Sequence, residues 1–148
     1  MTGWRYWQVH PSTGLLRSVT HRGVTWQPGQ PMRAVCLNGG HDAPATGCAC
    51  GLHAAPSLER LRDDSLCLRP GEALVVGEAA LWGTVVTDDH GIRAGRGYPR
   101  RLWVVAPPGP AGAGGALDRY GVPVGVMAAG EAVGEVAAAI LAYQSMSG

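Results

Sequence analysis

The sequence predicts an α+β fold: a small antiparallel sheet or partly open β-barrel with a metal-ordered loop and a C-terminal helix packed on it. Three observations lead there. Short runs of strand-forming residues, punctuated by proline and glycine, fill much of residues 4–105. Residues 37–56 break all periodicity and contain, with Cys36, the densest set of cysteine and histidine in the chain. In residues 131–144, Val133, Val136, Ala137, Ile140 and Leu141 recur at three- and four-residue steps, the spacing of a helix with one apolar face.

Taken in order, residues 4–9 are rich in strand formers, and His10-Pro11-Ser12-Thr13-Gly14 turns the chain into Leu15, Leu16, Ser18 and Val19, which predicts a hairpin. Residues 23–26 read as a short strand ended by Gln27-Pro28-Gly29-Gln30-Pro31, and residues 32–36 resume an extended reading. Ser57 before the Leu58/Leu61 pair predicts a short helix to about Asp64. The strongest strand signal spans residues 73–87, with a turn at Asp88-Asp89-His90-Gly91 and a return strand over residues 92–98. Pro99 is expected to interrupt it, leaving residues 102–105 as one more buried strand.

Residues 107–115, all proline, glycine or alanine, have no side chains with which to build a core and read as a linker. Beyond them lie a helical turn around residues 116–120, a strand-like stretch over 122–127 and the helix of 131–144, opened by Glu131 and Glu135 where its dipole favours acids. The expected organisation is one domain over residues 1–148, with residues 116–148 as an appended helical segment.

Composition narrows the function. A chain of 148 residues buries roughly 68–70% of its unfolded surface, enough for one core. A hydrophobic content of 46% and a net charge of +1 argue against wholesale disorder and a polyelectrolyte tail. All 12 basic residues are arginine, so Schiff-base and Walker-lysine chemistry are excluded. The missing lysine and phenylalanine and the single asparagine, Asn38, are residue types with AT-rich codons; their scarcity points to a high-GC bacterial genome and a cytoplasm without routine disulfides. Residues 1–10 show neither the basic region nor the apolar run of a secretory signal, and the apolar stretch 136–143 falls short of the roughly 18 residues a membrane span requires. A cytoplasmic location is expected.

The chemistry concentrates between Cys36 and His53. Three of the four cysteines and two of the five histidines fall there, beside glycines that let a backbone fold closely round an ion. Cys36, Cys48 and Cys50 are the candidate thiolate ligands, and His41, in a glycine-flanked turn, is the favoured fourth. His53 is the alternative ligand or an outer-shell hydrogen-bond partner. Zn2+ is the expected ion. Without paired Cys-x-x-Cys knuckles the spacing leaves an iron-sulfur cluster open. Cys67, between two leucines, reads as a core residue.

The stretches Ala34-x-Cys36, Gly40-His41-x-Ala43-Pro44, Cys48-x-Cys50-Gly51, Trp82-Gly83-x-Val85 and Gly91-x-Arg93-Ala94 resemble those shared by a group of small proteins of high-GC bacteria. The resemblance covers most of the first hundred residues and stops before Pro107. It implies that His41 belongs with the cysteines, and it implies no activity, substrate or partner.

Arg93, Arg96, Arg100 and Arg101 form a basic run near Tyr98 and Trp103, suited to an anionic partner or, alternatively, to protecting a strand edge. Asp88, Asp89 and His90 are turn formers before they are acid and base groups. Trp4, Trp7 and Trp26 stand in for phenylalanine in a core, or line a groove if two share an exposed face. No nucleophile elbow and no dinucleotide-binding glycine pattern is present. The reading that follows is a zinc-stabilised module that binds another macromolecule, most readily a protein. Its alternatives are a metalloenzyme or iron-sulfur redox protein using the loop, and a nucleic-acid binder using the arginine strand.

Overall fold

A computed structural model describes residues 1–19, 24–36, 39–45, 47–63, 72–89, 91–104 and 117–126. Among them are seven strands, β1 (Thr2–Val9), β2 (Leu16–Ser18), β3 (Met32–Arg33), β4 (Leu52–Ala54), β5 (Leu74–Asp88), β6 (Gly91–Val104) and β7 (Val124–Val126), with one short helix, α1 (Leu58–Asp63). The expected linker at 107–115, the helix at 131–144 and Cys67 lie outside the described residues.

β5 and β6 form the long hairpin on which the sheet is built. Val75, Val76, Val85, Val86 and Thr87 favour the extended backbone, and the two strands pair from Val75 opposite Val104 to Asp88 opposite Gly91. The reversal falls where the Asp88-to-Gly91 turn is expected. Pro99 does not interrupt β6. Proline has no N–H for the ladder, and the register shifts beside it, so that Ala79 faces Pro99 while Glu78 faces Arg101 and the pairing steps round the proline.

The strand order is β2-β1-β5-β6-β3, with β4 and β7 also on β6. Three short segments therefore share one edge of β6: β4 at Ile92–Ala94, β3 at Arg96 and Gly97, and β7 at Leu102–Val104. β7 runs parallel to β6, so the sheet is not wholly antiparallel. The sheet is open and not a closed barrel; a single bridge, with N–H···O distances of 2.7 and 2.6 Å, joins Trp4 of β1 to Ala55 after β4. Residues 24–26 do not form the expected strand. They pair with β2 through a bridge at Thr25 and two hydrogen bonds. α1 begins where Ser57 predicts, the serine Oγ accepting the Arg60 N–H at 3.2 Å.

With no phenylalanine available, Trp7 and Trp26 fill the centre of the core, packed edge to face with centroids 5.5 Å apart. Leu16, Val75, Leu81, Leu102 and Leu117 surround them. Trp4 points to the opposite side of β1, where it is half-buried and stacks on Trp103. Arg5 shares the core side with Trp7. Its guanidinium lies 5.1 Å from the Trp7 ring centroid and 4.6 Å from that of Trp26, and donates to Ser18 Oγ and the His53 carbonyl. Burial lowers its pKa to about 10, so it stays charged at neutral pH.

Tyr120 ends the 3₁₀ turn Asp118–Tyr120 and ties it to the sheet. Its hydroxyl accepts the Leu16 N–H at 2.8 Å and donates to the Trp26 carbonyl. Tyr98 in turn donates to the Tyr120 carbonyl and accepts the Gly29 N–H. Replacing Tyr120 by phenylalanine is expected to lower stability by about 2 kcal/mol, because two buried backbone groups lose their partner. Gly77→Ala is expected to be more damaging, since a Cβ there would overlap the Arg101 carbonyl oxygen across the hairpin. Urea denaturation checks both; a midpoint unchanged from wild type would contradict the assignment.

Candidate metal centre

The loop between β3 and β4 begins and ends on the same edge of β6, so its two ends are neighbours before any ion is considered. Cys36 follows β3 by three residues, and the Ala34 N–H reaches the Gly95 carbonyl at 2.9 Å to continue the pairing. Cys50 precedes β4 by two. Two backbone hydrogen bonds of 3.2 Å, from the Gly39 N–H to the Cys36 carbonyl and from the Cys48 N–H to the Ala45 carbonyl, hold parts of the loop close. Gly51, at φ +124°, lets the chain pass where a Cβ would lie 3.0 Å from both Arg93 Cβ and Pro44 Cβ.

This path brings Cys36, His41, Cys48 and Cys50 together, with one ligand atom from each and all four atoms within 4.8 Å of one another. The Cys36 and Cys48 sulfurs are 3.7 Å apart, and the Cys50 sulfur is 3.4 Å from His41 Nε2. All three cysteines are free thiols; Cys36 and Cys50 are buried and Cys48 is half-buried. The Cys48 thiol is lowered to about 7, first by the Cys50 backbone N–H and then by the side chains of Cys50, Cys36 and His41. Burial raises the Cys50 thiol, and Cys48 adds to the rise. Three sulfurs and one imidazole nitrogen converging in this way are fit to hold a metal ion. His53 is outside the group. It is exposed on β4, and its Nε2 donates to the Ala49 carbonyl at 2.8 Å, bracing the last turn of the loop.

Arg93, expected on a surface basic run, is instead buried beneath the loop at 6% exposure. Its Nη1 donates to the carbonyls of Ala45, Cys48 and Cys50, and its Nη2 donates to Asp88 Oδ2 at 3.2 Å. One guanidinium thus gathers three carbonyls, two of them belonging to candidate ligands, and Asp88 balances its charge. Asp88 is thereby engaged as an ion-pair partner. The sequence signals only the nearness of Asp88 and Arg93, because the hairpin turn puts both at the same end of the sheet. What the spacing concealed was the loop folding over that end. Arg96, Arg100 and Arg101 remain exposed, with the Arg101 guanidinium over the Trp103 ring.

A cleft of about 380 Å³ opens beside the ligands, lined by Arg33, Cys36, His41, Asp42, Gly83 and Arg96 among others. Arg33 carries no signal in the sequence, for a lone arginine on a two-residue strand has no motif. The cleft lies where β5 is irregular, between Trp82 and Val85.

Compared with known proteins, the chain matches no family model, and no curated protein or solved structure matches it. What it does must be read from these residues.

Arg93→Lys is expected to keep the fold and the charge but to lose the multi-carbonyl grip on the loop, weakening metal binding by about 10-fold or more. Chelator competition on the purified protein measures this. Affinity equal to wild type would show that Arg93 does not organise the ligands.

Proposed function

We propose that the chain is a zinc-stabilised binding module of a reducing cytoplasm, in which Cys36, His41, Cys48 and Cys50 hold one Zn2+ in a closed tetrahedral site. The supporting observation is the spacing of the ligand atoms. Zinc bonds of about 2.3 Å to sulfur and 2.0–2.1 Å to nitrogen give tetrahedral edges of about 3.8 Å between sulfurs and about 3.6 Å between sulfur and nitrogen. The corresponding separations here are 3.7 and 3.4 Å. An iron-sulfur cluster distributes its ligands over separate irons and needs them farther apart than four atoms all within 4.8 Å, which favours a single ion. Four protein ligands fill the coordination of zinc, so its work is to order a loop with little apolar side chain.

The partner in this reading is another protein. Val35, 70% exposed beside Cys36, and Trp82, 39% exposed on β5, are apolar side chains on view near the ordered loop. Among the described residues no helix is long and apolar enough to cross a membrane. A nucleic-acid partner is less well supported, since Arg93 is withdrawn from the basic run and Arg101 is held over Trp103. The cleft that touches Cys36 and His41 favours one second reading, a metalloenzyme with an exchangeable ligand.

Elemental analysis of the purified chain is expected to find about one zinc per molecule, with unfolding of the loop on chelation; less than about half an equivalent of any metal would overturn the proposal. A visible absorption band would support the iron-sulfur alternative. A metal-bound water in the zinc protein would support the enzyme.

A further inference from the structure

The Cys/His cleft has a second chemical character. Arg33 on β3 and Arg96 on β6 are directly opposite one another in the ladder, and both line the cleft. Like charges in that relation destabilise a sheet. Both side chains are exposed, and neither has a hydrogen bond or ion pair among the described residues, although Asp42 also lines the cleft. The contrast with Arg93, three residues earlier on the same strand and fully engaged, is marked. Edge protection accounts for Arg33, at the end of the sheet order, but not for Arg96, which has Trp82 on one side and Arg33 on the other. Two like-charged side chains on directly paired positions of a concave surface are a cost to the fold that a bound anion would turn into a gain.

We propose that this cleft binds a small phosphate monoester, its phosphate group between Arg33 and Arg96. A carboxylate brings one charge to two guanidiniums. A phosphate monoester brings nearly two at neutral pH, with three oxygens to meet both arginine forks. The rest of the cleft fixes the orientation. A dication on three thiolates and a neutral imidazole carries about one negative charge, so the Cys36 and His41 wall repels the phosphate toward the arginines. Asp42 selects for a ligand body that carries hydroxyl or amine donors. A volume of about 380 Å³ admits a molecule of sugar-phosphate size. The site stands on the arginine pair and the cleft, and does not require the zinc assignment.

The test is calorimetric titration of the full chain, with its metal content measured, using inorganic phosphate, ribose 5-phosphate and ribose at constant ionic strength. Saturable binding is expected for the two phosphates, tighter for ribose 5-phosphate, with none for ribose. Arg33→Gln and Arg96→Gln are each expected to weaken it by about 10-fold or more, while Arg100→Gln leaves it unchanged. Without phosphate, the same two variants should melt at or above the wild-type temperature, because the repulsion is relieved. Failure to saturate by about 10 mM phosphate, or equal binding by the Arg33 and Arg96 variants, would overturn the proposal. So would a lowered melting temperature in both variants, which would make the pair structural. Low metal content in a protein that still binds phosphate would count against the zinc reading and leave this one standing.

Discussion

The pairing of β5 with β6 is the constraint from which the remaining structure follows. Every other strand is attached to one of these two, directly or, for β2, through β1. The hairpin can be long because its closing turn is local and β5 is rich in β-branched residues, whereas β3, β4 and β7, of two or three residues each, have no stability of their own. They persist because β6 offers them an edge. The irregularities of the hairpin are equally consequential: one absorbs Pro99, and the other lies at the cleft beside the cysteine loop.

Two arginines show how differently one residue type is used when its surroundings differ. Arg5 is carried into the core by the alternation of β1, and its charge is tolerated between two indole faces and neutral acceptors. Arg93 lies under a loop and donates to three of its carbonyls at once. In a lysine-free chain these roles fall to a planar, forked cation, which satisfies converging carbonyls better than a point charge does.

Much of this was legible in the sequence where the determinants are local. The hairpin at Asp88–Gly91, the start of α1 at Ser57 and the turn before β2 depend on neighbouring residues, and the residue types carry the information. The convergence of Cys36, Cys48, Cys50 and His41 could be anticipated because cysteine and histidine seldom crowd together by chance in a glycine-rich loop. What could not be read was long-range. The parallel pairing of β7, the burial of Arg93 and the apposition of Arg33 with Arg96 each arise from register between distant segments, and no spacing along the chain records register. Pro99 misled for a related reason: it is a breaker in a regular ladder, and the irregularity that accommodates it is a property of two strands together.

The loop that bears Cys36 and Cys50 leaves from one edge segment of β6 and returns into the next. An ion held between those cysteines would therefore act as a clasp on the margin of the sheet as well as an anchor for the loop. With the clasp open, β3 and β4 would hold their places by only a few hydrogen bonds, and the backbone of β6 from Ile92 to Gly97 would present an unpaired edge to any passing strand. Starvation for metal would then be felt first as self-association, through a surface that the intact protein keeps covered.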